Sequence, residues 1–223
     1  MSRHKSNASL NIYMNSKHVG VLKKLSHGGL EFKYSIAWID SSQPVALSLS
    51  LPLQEDPYKG EVVSNYFDNL LPDSEPVRKR LAESSNANSK EAFDILQAIG
   101  RDCVGALHLV PEGVDYELHQ KIEGDVLNQK QIAQILENLK ITPLGYDPED
   151  DFRISIAGAQ SKTALLRIGK SWLRPRGSTP TTHILKPAIG ILPNGIDLSN
   201  SVKNEFLCLK LCEFFGLTTA KAE

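Results

Sequence analysis

The residues best suited to chemistry lie in the last third of this 223-residue chain. Ser155-Ile-Ala-Gly-Ala-Gln-Ser-Lys-Thr163 places small side chains between two alternating apolar segments and adds the hydroxyls of Ser155, Ser161 and Thr163. With little bulk in the way, backbone N–H groups can come close to an anion. The run lacks GxxxxGK[ST], so it is not a Walker loop. An ordinary small-residue turn is the competing reading. Further on, Lys186 follows the apolar pair Ile184-Leu185, and Glu205 falls in a helical stretch. A strand-end lysine is either a point charge for phosphate or a solvated surface cation. Glu205 is either its counter-ion or a carboxylate favoured by the dipole of a helix N-terminus.

The order of these three parts narrows the choice. A strand–loop–strand with small residues, then a strand Lys, then a helical Glu is the order found in the nucleotide lobe of a protein kinase. Other candidates read more plainly. Six histidines (His4, His18, His27, His108, His119, His183) show no paired-ligand spacing. Cys208 and Cys212 are one helical turn apart beside Leu211 and Phe215, which suggests core packing. Asp147, Glu149, Asp150 and Asp151 read as a solvated linker, and Arg174 and Arg176 as a solvated face, with contact to a phosphate or partner the competing reading.

The elements that must position these residues change character along the chain. Leu10–Met14 and Val19–Leu22 flank a polar turn at 15–17, a hairpin signal. Gly29–Tyr34 and Val45–Leu51 alternate as half-buried strands do, and Pro52 stops the second. Helices are expected from Val63 to Leu71 and from Glu75 to Leu81, the latter capped by Ser74 with Pro76 in its first turn. Asn88 with Glu91 resembles a capping box for a helix bearing Phe93, Leu96 and Ile99, and Gly100 fits the C′ position just past its end. Val104–Val110 reads as a strand. Ile132, Ile135, Leu136 and Leu139 mark an amphipathic helix. The Pro-, Gly- and acid-rich stretch 142–150 is the best domain boundary. Beyond it, Phe152–Ile156 alternates. Thr163–Ile168 and Ser171–Leu173 flank a Gly169-Lys170 hairpin turn. Thr182–Lys186 is a strand, 187–198 a loop, and 199–215 a helix ending at Gly216.

Composition sets outer limits. The chain weighs 24.6 kDa, with 41% apolar and 23% charged residues, as globular domains have. Its 25 basic and 26 acidic residues leave a net charge of -1, which argues against phosphate-backbone binding as its main work. No run of about 18 apolar residues suggests a membrane span. The polar, basic start does not suggest a signal peptide. With three cysteines and no metal-like spacing, a reducing cytoplasm is the expected location.

Several strings together resemble the HipA family of serine/threonine kinase toxins from bacterial toxin–antitoxin modules. They are Leu47-Ser-Leu-Ser-Leu-Pro-Leu53, Tyr66-Phe-Asp-Asn-Leu-Leu-Pro-Asp73, Ile99-Gly-Arg-Asp102 with Val104-Gly-Ala106, Phe152-Arg-Ile-Ser-Ile-Ala-Gly-Ala-Gln160, Lys162-Thr-Ala-Leu-Leu166, Thr179-Pro-Thr-Thr-His-Ile-Leu-Lys186 and Ser201-Val-Lys-Asn-Glu205. Ser161 departs from the family, which commonly has Glu there. The resemblance implies an α+β fold, with a β-rich HipA N-terminal subdomain plus helices over residues 1–140. The N-lobe of a protein-kinase-like fold, incomplete, would occupy 151–223. It implies nucleotide binding by Ala157, Gly158, Ala159, Gln160, Ser161, Lys162 and Lys186, with Glu205 orienting the lysine. Ser155 matches the serine that the family autophosphorylates.

ATP with Mg²⁺ is the implied cofactor. The implied partners are an antitoxin of the HipB type, with DNA reached only through it, and, as an alternative, a separate kinase C-lobe. No His-x-Asp catalytic loop and no Asp-Phe-Gly occurs in the sequence. The base and Mg²⁺-binding aspartates are therefore expected in a C-lobe absent from these residues, and the isolated chain is expected to be inactive. A non-enzymatic module that pairs with such a lobe or with an antitoxin is the alternative.

Overall fold

The computed structural model describes residues 8–101, 103, 106–114, 122–139, 144, 156–158, 160–176, 179–192 and 194–223. The first hairpin forms where the sequence places it. Strands β1 (Ser9–Met14) and β2 (Lys17–Lys24) join through Asn15 and Ser16, with φ of 45° and 73°. Two left-handed residues match the twist of paired strands, and short polar side chains tolerate that conformation best. The register shifts between Ile12 and Tyr13, and Gly20 lies beside this bulge. A Cβ on Gly20 would stand 2.2 Å from the Lys33 carbonyl, so only glycine lets β3 (Leu30–Tyr34) approach.

Together with β4 (Tyr58–Lys59) and β5 (Leu107–Pro111), these strands make a five-stranded antiparallel sheet in the order β4-β3-β2-β1-β5. Its apolar face packs on α2 (Glu61–Asp68) and α4 (Ala92–Ile99). The short α1 (Ile36–Ile39) and α3 (Glu75–Ser84) flank them. Leu10, Ile12, Leu22, Phe32, Phe67 and Ile95 are fully buried. Phe67 meets Phe32 edge-on at 6.0 Å and Tyr66 at 5.0 Å.

The second sheet has the order β6-β8-β7-β9, from β6 (Gly124–Leu127), β7 (Thr163–Ile168), β8 (Ser171–Pro175) and β9 (His183–Leu185). Between β6 and β7 lies α5 (Gln129–Asn138). After β9 a small hairpin, β10 (Gly190–Ile191) with β11 (Asp197–Leu198), leads into α6 (Ser201–Phe214).

Four expectations need correction. Residues 45–51 form no strand; Ser48 and Leu51 make one isolated bridge within a tight turn. The Tyr34 hydroxyl accepts from Leu47 N at 2.8 Å and donates to the Leu51 carbonyl at 2.6 Å, and Trp38 Nε1 donates to the Val45 carbonyl at 3.1 Å. These buried groups draw the backbone into a loop and leave Leu49 fully exposed. The same burial pushes the Tyr34 hydroxyl up to about 12. Second, Asn88 does not cap α4. Glu91 occupies that position, and Ser89 Oγ accepts from Glu91 N instead. A reciprocal capping box forms at α5, between Asn128 and Gln131. Third, Gly100 closes α4 with φ of -73°, outside the left-handed region. Fourth, the 187–198 segment is a β10–β11 hairpin rather than plain loop. The proposed strand 152–156 and boundary 142–150 fall almost wholly outside the described residues.

Candidate nucleotide site

Lys186 and Glu205 meet. The ammonium follows β9 directly, the carboxylate sits in the second turn of α6, and Nζ lies 2.5 Å from Oε1. Two ties hold the approach. Gln160 Nε2 donates to the Pro187 carbonyl at 2.9 Å, joining the small-residue loop to the residue after Lys186. Ser201 Oγ accepts from Ile189 N at 3.0 Å, fastening the same segment to the start of α6. Both charged groups are partly exposed, 32% and 43%, so the pair itself adds on the order of 0.5 kcal/mol to stability. Its worth is geometric.

The small-residue loop leads into β7. Thr163 Oγ1 donates to the Leu144 carbonyl at 2.7 Å from a buried position, which anchors the first residue of the strand. Lys162, just before it, is only 7% exposed and donates through Nζ to the Ala157 carbonyl. Gly158 adopts φ of +104°, and a Cβ there would stand 2.6 Å from Lys162 Nζ. The left-handed conformation calls for glycine, and a Cβ there would push the end of the Lys162 side chain aside. Burial pushes the Lys162 ammonium below the ordinary lysine range, and the like charge of Lys186 pushes it further. The carboxylates of Asp73 and Glu205 act the other way.

Two lysines thus face one region, which an anion would relieve. Of the residues singled out from sequence, Ala157, Gly158, Gln160, Ser161, Lys162, Lys186 and Glu205 are gathered around this loop and its seam with β9 and α6. Ser155 and Ala159 lie outside the described residues. Sequence reading missed the walls. Pro72, Val77, Leu139 and Leu144 line a narrow cleft with Ile156, Gly158 and Lys162. The Leu71-Pro-Asp73 string pointed to a helix end; nothing local pointed to a cleft.

The lesser candidates resolve differently. Arg176 holds Asp125 through two hydrogen bonds of 2.7 and 2.8 Å, so it locks β6 to the end of β8. Cys208 is exposed and Cys212 half-buried, which overturns the core-packing expectation: no residue of α6 is buried. Among the described residues, no group of three or more His, Cys, Asp or Glu is placed to hold a metal ion, and no helix is long and apolar enough to cross a membrane.

Comparison with known proteins gives the family of the chain. Residues 10–110 match the family model described as the HipA N-terminal domain, and residues 154–223 match the one described as the HipA-like C-terminal domain. Y4mE of Sinorhizobium fredii, named as a candidate kinase, is 32% identical over 222 residues, covering 96% of this chain and 50% of its own. The serine/threonine-protein kinase toxin HipA of Shewanella oneidensis is 27% identical over 191 residues, covering 85% of this chain and 40% of its own. A second Sinorhizobium fredii protein, Y4dM, also named as a candidate kinase, is 33% identical over 116 residues. The chain spans about half the length, or less, of these curated relatives. With both parts matched in order, the chain belongs to the HipA family.

Proposed function

We propose that this chain supplies the nucleotide-binding lobe of a HipA-type serine/threonine protein kinase toxin. ATP would lie with its phosphates between the loop 157–162 and Lys186. The observation that carries this reading is the 2.5 Å Lys186–Glu205 pair, which joins a strand-end lysine to a helical carboxylate. That pairing holds a lysine ready for α/β-phosphates in protein kinases. The glycine-dependent turn at Gly158 fits the same use, because it brings backbone close to a bound anion.

In this reading Lys186 binds phosphate, Glu205 orients it, and Gly158 and Lys162 shape the loop. Bound ATP supplies the phosphoryl group, with Mg²⁺ neutralising its charge. Together with a catalytic lobe, the protein would phosphorylate a translation-related protein and its own Ser155. A phosphoserine brings about -1.5 to -2 charges, which beside ATP phosphates would switch the site off. An antitoxin of the HipB type is the proposed partner, with DNA contacted only through it.

Calorimetric titration with Mg-ATP tests the reading. Lys186→Ala should weaken binding at least tenfold without unfolding the chain; unchanged affinity removes Lys186 from the site. A second reading, a binding module that acts by pairing with another lobe or an antitoxin, is favoured by α6. Leu207, Leu211, Phe214 and Phe215 are all at least 46% exposed, and such surfaces usually mark association. Light scattering that finds the chain strictly monomeric at high concentration would count against it.

A further inference from the structure

Three side chains meet on the second sheet. Arg167 of β7 is paired with Trp172 of β8, and His183 of β9 with Leu165, two residues before Arg167, so the pleat sends all three to one face. The contacts agree. The Arg167 guanidinium lies over the Trp172 ring at 5.1 Å, and Trp172 meets His183 edge-on at 4.9 Å. Thr182 Oγ1 accepts from Arg167 N at 2.8 Å and lies 2.8 Å from His183 Nδ1. Stacking sets the guanidinium before any ligand arrives, so less side-chain freedom is lost on binding. An arginine fork with a histidine Nε2 beside it suits a carboxylate. In this chain Glu223 fills the place. Its carboxylate bonds to Arg167 Nη1 and lies 3.8 Å from His183 Nε2.

Glu223 reaches the sheet because α6 ends in a turn that redirects the chain. Gly216 makes it with φ of +75°; Leu217 N donates to the Cys212 carbonyl and Gly216 N to the Glu213 carbonyl, both at 3.0 Å. This is the paired bonding of a Schellman cap, for which glycine is the usual residue. Helix α6 buries none of its residues. Its first two turns are tied to the seam through Ser201 and Glu205, and its far end continues into the tail. We propose that Arg167, Trp172 and His183 form a carboxylate-binding site occupied by Glu223, so that the tail 217–223 straps the end of α6 to the second sheet and steadies Glu205 against Lys186. Arg167 and Glu223 are thus positioning residues. The effect on ATP rests on the function proposed above; the site and the strap do not.

The test is backbone ¹⁵N relaxation on the full chain. Amides 218–222 should be ordered, with order parameters near about 0.85. Arg167→Met should drop them below about 0.6 while the β7–β8 hairpin keeps its cross-strand contacts. Glu223→Ala, which leaves the sheet untouched, should do the same, and the double variant should loosen the tail no further than either single change. Gly216→Ala, strained at that φ, should loosen it too. In each variant the resonances of the last turn of α6 should move, and those of the β1–β2 hairpin should not. Mg-ATP affinity by calorimetry should fall roughly threefold in Arg167→Met and in Glu223→Ala. A tail that stays ordered in either of those two, or additive loosening in the double variant, overturns the site. A tail that stays ordered in Gly216→Ala, or a loosened tail with α6 resonances unmoved, overturns the strap. A loosened tail with ATP affinity unchanged overturns the link to Glu205. A tail that loosens as expected in a chain that binds no ATP leaves site and strap standing and removes the nucleotide function.

Discussion

The five-stranded sheet and the four-stranded sheet bury their apolar residues to very different degrees. The first sits on two helices, and nearly the whole hydrophobic core cluster belongs to it and its helices; among the described residues, Leu144 and Ala164 are its only buried members from beyond residue 110. The second buries Ala164, Leu165 and Leu166 of β7, but leaves Val126 on one edge strand, Ile184 on the other and every residue of α6 unburied. Yet α6 carries Phe206, Leu207, Leu211 and Phe214 among its lysines and glutamates, and apolar helix residues normally lie against a core. The contrast shows where stability and function are divided. The first part buries most of its apolar side chains. The second holds the charged groups at 2.5 Å on a thin support.

The most damaging substitution should fall in the first part. Phe67→Ala removes a fully buried ring wedged between Phe32 and Tyr66 and should cost about 3–5 kcal/mol in urea unfolding. A loss below about 1 kcal/mol would erase the contrast. Next comes Lys24→Ala. It strands Asp94, 6% exposed and bonded to Lys24 at 2.7 Å and to Ser89 at 2.6 Å. A drop of about 2–3 kcal/mol is expected, since a buried charge without its partner is costly.

Lys162→Met tests the seam between the two parts. Because the fold depresses this group below its ordinary 10.5, the folded state disfavours its charge. The penalty is full below the depressed value and fades as pH rises from there towards 10.5. Lys162→Met should therefore gain stability at neutral pH, by up to about 1 kcal/mol, and lose that advantage in alkali. A pH-independent difference in thermal midpoint would refute the sign.

Lys186→Ala should change stability by less than about 1 kcal/mol, however large its effect on ATP. Phe214→Ser, at an 81% exposed site, should shift unfolding by no more than about 0.5 kcal/mol while reducing self-association in sedimentation runs. A large loss of stability there would mean that α6 is packed after all.

Local order was readable wherever neighbouring residues decide the outcome. The β1–β2 and β7–β8 hairpins followed from their turn residues. Helix α3 starts at the expected Ser74, although that serine makes no side-chain cap bond. The strand expected at 45–51 failed because two aromatic side chains from outside it, Tyr34 and Trp38, hold the segment as a turn. Strand β6 went unseen: Gly124-Asp-Val-Leu127 has little alternation of its own and owes its form to pairing with β8, about fifty residues later. Cys208 and Cys212 were misjudged because an apolar helical stripe signals burial only when something lies against it.

By itself, the amino-acid sequence determined the order of parts: a small-residue loop, a lysine closing an apolar strand and a glutamate on a helix, preceded by a hairpin-led sheet. These follow from period, turn chemistry and side-chain type, all of which act over a few residues. The tertiary structure alone decided that Lys186 and Glu205 touch, that Lys162 is buried, and that Pro72 and Val77 face it. Those contacts join segments from about twenty to ninety residues apart in the chain, and only the packing of sheets and helices brings such segments together.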